Sequence, residues 1–334
     1  SIMYILGAGI SGLILGYKLN SPVYGLYIGG QMRGFTKGPR ILEVDEASIS
    51  LLKSLGIKAK PRAFTVGYLN DDGLVTGTAT EEERANYYLK TRGREADVPP
   101  SVMSGGNTTI IGWDINEIEL VDNLIRRVDY TNGYVDSIDF SENKVDIYLG
   151  NGSKACLPVY DGISTINLRT LSKLIRQDLR DIFYLTQDDR GNIVKPHKNL
   201  AELDLSAYDT EFVRVYTEVD LTRGYDYLYC TGINTPINRI TRIGNNEYCI
   251  EFRSDVAEIA WGYIHQLPVE ALELDVIRFC QLRYNHNALE LGLDDPDHYG
   301  NRLKLCGRFA RWQHSIKIND IIREADEYAK SMGG

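Results

Sequence analysis

A chain of 334 residues with 43% hydrophobic and 25% charged side chains is too long for one simple core and predicts two interleaved domains, which excludes a disordered or fibrous polypeptide. A net charge of −9 argues against a general nucleic-acid or anionic-membrane surface and leaves room only for a local basic channel. No apolar run reaches transmembrane length, and the opening SIMYILG enters a strand with no signal peptide, so a cytoplasmic protein without a membrane partner is expected.

In chain order, Tyr4, Ile5 and Leu6 form a short apolar run of the buried parallel-strand type. Gly7, Gly9 and Gly12 follow with GxGxxG spacing and open an apolar helical pattern from Leu13 to Leu19. In such a turn Gly7 permits the tight bend, Gly9 admits a pyrophosphate to the backbone, and Gly12 lets helix and strand pack closely. Ser11 is placed to cap the helix, and VYGLYI after Pro22 reads as the second parallel strand. This βαβ context points to a dinucleotide site and to an α/β fold.

The next segment departs from that pattern. A dinucleotide fold places Asp or Glu about 20 residues past the turn for the ribose hydroxyls. Here the positions read Ile28, Gly29, Gly30 and Gln31, and no acidic residue occurs from Leu13 to Leu42. The 46 acidic residues of the chain would put about four in a window of that size. Lys18, Arg33, Lys37 and Arg40 stand there instead. Two readings compete: a 2′-phosphate held by Arg33, which means NADP, or FAD with its ribose held by Gln31 or backbone groups.

Further along, DEASISLLKSLGI predicts a helix starting at Asp45 and stopping at Gly56, and RAFTVGYL-DDG-LVTGT a β-hairpin. TEEERANYYLKTRG is a helix whose acidic first turn and basic last turn suit the dipole. A loose stretch from Asp97 to Gly106 crosses between domains, and INEIELVDNLIRRV returns to helix. YVDSIDF, KVDIYLG and GNGS predict an antiparallel meander, followed by a strand in YDGISTIN and a helix over Leu168 to Leu179. Phe183 to Phe252 reads as strand-rich, while Ala257 to Gln266 and Pro268 to Leu282 read as helices. RLKLCGRF closes as a strand and NDIIREADEYAKSM as an amphipathic helix. Five cysteines without CxxC spacing predict reduced thiols, the five histidines show no metal spacing, and 22 tyrosines are a supply for an aromatic-lined pocket.

Three separated stretches together resemble the flavin amine oxidase and UDP-galactopyranose mutase group of FAD proteins. They are YILGAGISGL with RGF (Arg33, Gly34, Phe35), YDGISTINLRTLSKLI (Tyr160 to Ile175), and LCGRFARWQHSIKINDIIREAD (Leu305 to Asp326). GPRILEVDEASISLLKSLGI adds weaker similarity. The resemblance implies a Rossmann-like FAD-binding domain from residues 1–60, 105–175 and 300–334, with an interleaved α+β substrate domain from 61–104 and 176–299. It decides for FAD over NADP, and no second GxGxxG follows for another dinucleotide. Relatives carry Glu near Gly29, so Gln31 or Arg33 stands in as ribose contact.

The expected cofactor contacts are Gly7, Gly9, Ile10, Ser11, Gly12, Gln31, Arg33, Gly34, Phe35, Tyr134, Val135, Gly307, Arg308, Asn319 and Asp320. Arg308 is a pyrophosphate partner or a surface ion pair. Asn319 and Asp320 begin a helix whose N-terminus, aimed at the flavin, favours negative charge there, and an ordinary N-cap is the competing role. Arg239 and Arg242 suit a bidentate clamp on a carboxylate or phosphate. Trp312 and His314 lie in the third stretch as candidate substrate contacts, with Trp261, Tyr263, Tyr68 and Tyr88 as weaker aromatic candidates. No catalytic side chain is assigned, because a flavin performs the hydride chemistry and the protein orients and tunes. The resulting expectation is an FAD-dependent oxidoreductase taking hydride from an amine or related carbon centre of a small or nucleotide-linked substrate. A mutase-like flavoenzyme with Arg239 and Arg242 on a sugar nucleotide, and a cofactor-free binding module, are the alternatives.

Overall fold

The computed structural model describes residues 2–30, 41–97, 108–115, 117–188, 190–195, 198–267 and 271–333, with the backbone alone over 271–277. The chain begins with β1 (Tyr4–Leu6), α1 (Ile10–Leu19) and β2 (Val23–Gly25), the βαβ unit expected from the apolar run and the glycine spacing. α2 (Glu46–Ser54) starts where Asp45 accepts from Ser48 in a capping box, and Gly56 at φ +69° follows its end. β3 (Pro61–Asn70) and β4 (Gly73–Leu74) form the hairpin, and α3 (Glu81–Arg92) is capped by Thr80.

Then come β5 (Thr109–Trp113), α4 (Glu117–Ile125), the meander of β6 (Tyr130–Asp139), β7 (Lys144–Leu149) and β8 (Lys154–Leu157), and β9 (Gly162–Ser164). α5 (Leu168–Ser172) is shorter than the helix expected to Leu179, because Ile175 leaves it to bridge to Ile138. β10 (Ile182–Gln187), β11 (Ile193–Val194), β12 (Ala207–Tyr216), β13 (Tyr227–Cys230), β14 (Ile237–Gly244), β15 (Glu247–Arg253) and α6 (Ala257–His265) follow.

The expected helix from Pro268 is instead β16 (Ala271–Leu282), paired antiparallel with β12 from Ala207↔Leu282 to Tyr216↔Ala271. A long open edge on β12 outweighs the local helical spacing, and Val276, Ile277 and Phe279 suit a strand. β17 (Glu290–Leu293), β18 (Arg302–Leu305), α7 (Arg308–Arg311) and α8 (Ile318–Met332) complete the chain. Most of the Asp97 to Gly106 stretch lies outside the described residues.

The strands form two sheets. The first runs β11-β10-β17-β18-β9-β1-β2-β6-β7-β8, and its middle five, β18-β9-β1-β2-β6, are parallel. The second runs β16-β12-β15-β14-β13-β3-β4, with β5 also on β3. Sheet membership therefore differs from the boundaries read in the sequence. β5 belongs to the second sheet through pairing with Pro61–Thr65, and β10 with β17 cover the otherwise open edge of β18.

α1, α2, α4 and α8 cover one face of the parallel strands around Ile5, Leu13, Leu51, Leu124 and Ile322. Burying Ile321 and Ile322 of α8 contributes about 3–6 kcal/mol. Lys18 on α1 pairs with Asp326 on α8 at 2.7 Å and ties the first helix to the last. No helix among the described residues is long and apolar enough to cross a membrane.

Candidate functional site

The carboxyl ends of β1, β9 and β18 open side by side, and the residues after them, Gly7, Thr165 and Gly307, line one cavity of about 810 Å³. This is the place where open α/β sheets bind ligands, since the chain leaves β1 in opposite directions to β2 and β9. The volume lies in the upper part of the range for small-molecule sites, about 300–1,000 Å³.

Each turn glycine has a distinct surrounding. Gly7 takes φ +99°, a left-handed-side conformation that other residues avoid, and Thr165 locks the bend by donating its hydroxyl to Leu6 O at 2.8 Å. A Cβ on Gly12 would stand 1.8 Å from Gly7 O, so α1 sits directly on the turn. A Cβ on Gly9 would meet nothing within 4 Å, so this position faces open cavity.

Gly9 is the N-cap of α1 and has no side-chain cap, nor does the first turn carry an acid. The expected Ser11 cap is therefore absent: Ser11 lies inside the helix, its Oγ beside Gly307. The helix thus presents amide N–H groups and the positive end of its dipole to the cavity, an arrangement suited to an anion.

Gly307, at φ +100°, turns β18 into α7, and Arg308 lines the cavity while donating through Nε to Ile316 O at 3.2 Å. Lys317, Ile318 and Ile321 bring the start of α8 to the same wall. Asn319 and Asp320 serve that start from behind. Asn319 clamps Glu43 through both backbone groups (2.8 and 3.2 Å), and Asp320 accepts from the Lys317 N–H at 2.8 Å. Lys317 is the N-cap, so neither of the two residues expected there holds that position.

Tyr134 and Val135 fall outside the cavity wall. β6 pairs with β2 only over Tyr130 to Asn132, then runs on into the meander, where Tyr134 is exposed against Tyr148 and Val135 packs on the core. Gln31, Arg33, Gly34 and Phe35 lie outside the described residues.

The opposite wall comes from the second sheet and α3. Cross-strand register places Tyr229 of β13 opposite Arg239 of β14, and Arg239 opposite Glu251 of β15. Arg239 and Glu251 form an ion pair with 19% and 9% of their side chains exposed. Burial alone would lower the guanidinium, and Glu251 more than reverses this, holding its pKa well above the usual arginine value.

Arg239 lies over the rings of Tyr227 and Tyr229 at 5.7 and 5.6 Å from their centroids. Tyr87 meets Tyr229 edge-on at 5.3 Å, and Tyr68 stacks behind it at 5.9 Å. Burial pushes the phenols of Tyr87 and Tyr227 upward, so they act as hydroxyls at neutral pH. Phe212 and Phe279, 4.7 Å apart, extend the apolar part.

Arg242 does not join Arg239. Residues three apart on a strand face opposite sides, and Arg242 pairs with Asp220 at 2.8 Å over the Tyr248 ring. Trp312 is buried in the core behind α7, while Trp261 packs on Phe252 and Tyr263 is partly exposed; none lines the cavity.

His314 does line it, edge-on to Tyr88 at 5.8 Å, with Nδ1 3.2 Å from the Gln281 amide nitrogen. Burial first, then the charges of Arg308 and Arg92, hold its pKa well below the usual histidine value, so it is neutral at pH 7. α3, which carries Tyr87 and Tyr88, is fastened by Lys90, whose Nζ donates to the carbonyls of Cys230, Gly232, Thr235 and Ile237 at 2.5–3.2 Å.

Sequence reasoning missed Tyr87, Tyr227, Tyr229 and Glu251. The period of two in YDYLYC, with Tyr227 and Tyr229 on one strand face, is the signal that was present.

No family model matches the chain, and no curated protein sequence does. Solved structures match its fold over nearly the whole length. Reduced UDP-galactopyranose mutase superposes with a TM-score of 0.65 at 12% identity, covering 99% of this chain and 96% of that one. A CLA-producing fatty acid isomerase from P. acnes gives 0.61 at 9%, covering 99% and 98%. A putrescine oxidase triple mutant redesigned in cofactor binding gives 0.59 at 11%, covering 99% and 98%. The chain has the α/β fold shared by the amine oxidase and mutase structures.

Proposed function

We propose that this chain is an FAD-dependent oxidoreductase that removes a hydride from an amine or related carbon centre of a small substrate. One observation carries the reading. A glycine turn and an uncapped α1 N-terminus open on one end of a cavity whose other end is a tyrosine wall of buried Tyr227 and half-buried Tyr87, Tyr88 and Tyr229. The putrescine oxidase likeness supports the amine wording, and the oxidoreductase from Methanosarcina mazei, with a TM-score of 0.59 at 10% identity, supports the broader class.

In this reading the ten-stranded sheet and its helices are the cofactor domain and the eight-stranded sheet is the substrate domain. Amides at Gly9, Ile10 and Ser11, with Arg308, hold the pyrophosphate, and the room beside Gly9 admits it. Bound FAD supplies the hydride acceptor. The N-terminus of α8 favours negative charge at its end of the cavity. The tyrosine wall orients the substrate and excludes water, and neutral His314 offers a hydrogen-bonding group that carries no charge of its own. The sugar-nucleotide reading needs Arg239 and Arg242 on one face, and the strand separates them.

The test is the visible absorption spectrum of the purified protein, followed by identification of the ligand released on denaturation. Flavin bands with FAD released are expected. A colourless protein that takes up no added FAD overturns the reading in favour of a cofactor-free binding module.

A further inference from the structure

The tyrosine wall raises a question about charge. Electron-rich ring faces attract a substrate cation when they are open to it. Over three of the four tyrosine rings that line the cavity the protein's own cations already lie. Arg239 stands over Tyr227 and Tyr229, and buried Arg92 over Tyr88 at 5.9 Å. Tyr229 also stacks on Tyr68, and Tyr87 meets it edge-on.

The carboxylate that would balance an incoming ammonium, Glu251, is spent on Arg239. At the other end Glu43 is paired with Lys317 at 2.7 Å. Of the described lining residues at the tyrosine end, Arg239 and Glu251 cancel and His314 carries no charge. What the wall offers a ligand is phenolic hydroxyls, the Asn238 and Gln281 amides, the Thr210 hydroxyl and apolar ring edges.

We propose that the tyrosine end of the cavity selects an uncharged substrate, an alcohol or carbonyl compound on an apolar frame, and that the Arg239–Glu251 pair is the specificity element that turns ammonium ions away. This narrows the oxidoreductase reading, on which the word substrate rests, from amines to the related uncharged carbon centre. An ammonium entering the wall would lose its hydration shell, find Arg239 and Arg92 already over the rings, and meet no unpaired carboxylate among the described lining residues. An alcohol of the same shape exchanges water for phenolic partners at little cost.

The experiment is a binding competition, read by ligand-observed NMR, with two matched pairs of probes at pH 7. Benzyl alcohol is set against benzylamine, which is protonated there, and choline against its uncharged carbon isostere dimethylbutanol. The neutral member of each pair is expected to bind at least tenfold more tightly to the wild-type protein. R239Q, which frees Glu251 and the ring faces, is expected to reverse the order. The double variant R239Q/E251Q keeps the wall uncharged and is expected to retain the preference for the alcohol, which guards against a single variant that fails to fold. Equal or tighter binding of the ammonium member to wild type overturns the proposal. So does the absence of binding by both members in protein with a normal flavin spectrum. A colourless protein that still prefers the alcohol overturns the oxidoreductase reading alone and leaves the selectivity standing.

Discussion

The two ends of the cavity are built from opposite materials. At the turn end the wall is backbone: Gly7, Gly9 and Gly307, the amide groups of α1, and the start of α8. At the far end it is bulk: Tyr87, Tyr227, Tyr229, Phe212 and the Arg239–Glu251 pair, set by strand register and by α3. The difference teaches that the first end is defined by what is left out of the side chains, and the second by how large ones are made to compensate one another. A substitution at the turn end fails by intrusion, and one at the tyrosine end by leaving a partner alone.

The largest expected effect tests the second half of that contrast. Glu251→Gln leaves the guanidinium of Arg239 buried without its counter-charge, and a loss of about 3–5 kcal/mol is expected in the unfolding free energy measured by urea titration. A loss below about 1 kcal/mol would mean that water compensates Arg239 and the wall is not closed.

Gly12→Ala tests the first half. Its Cβ would stand 1.8 Å from a backbone oxygen that cannot swing aside, so a loss of about 3 kcal/mol is expected in the same titration. An unchanged midpoint would show that α1 does not rest on the turn.

His314 belongs to the boundary between the two ends and gives a pH dependence. Its folded pKa lies below that of the unfolded chain, so the unfolded state binds the extra proton, and stability is lost as pH falls below the unfolded value near 6.5. His314→Gln should flatten that decline by up to about 1.4 kcal/mol per pH unit between pH 6.5 and 5. His286, lowered mainly by burial, keeps its own share. A decline of the same steepness in the variant would place a protonated imidazole in the folded wall.

Gly9→Ala should disturb stability least, within about 0.5 kcal/mol, because its Cβ would enter open cavity at an ordinary φ of −75°. Retention of FAD should nevertheless fall at least tenfold, roughly 1.4 kcal/mol, in a dialysis or equilibrium titration. Equal FAD affinity in the two proteins would remove Gly9 from the cofactor contact and blur the contrast between packing glycine and ligand glycine.

The legibility of the molecule follows the same division. Gly7, Gly9 and Gly12 could be read directly because their roles depend on spacing within one turn, and Asp45, Thr80 and Gly56 marked helix limits for equally local reasons. β16 could not, since its state is decided by β12, more than fifty residues earlier in the chain. Glu251 was invisible for a related reason: only the β14–β15 register reveals that it faces Arg239. Arg242 could have been set apart from the sequence alone, because odd spacing on a strand divides the two faces. Tyr134 and Val135 were misplaced because β6 outruns β2, and strand length past a neighbour's end has no local mark.

The tie between α1 and α8 also bears on synthesis. The ribosome makes Gly9 about 300 residues before Ile318, a delay of roughly 15–60 s at 5–20 residues per second. Until α8 emerges, Leu13, Leu15 and their neighbours lack one of the helices that cover them, and the turn lacks one side of its pocket. The cavity at the turn is therefore complete only once α8 has been made, and the apolar side of α1 stays partly uncovered over that interval.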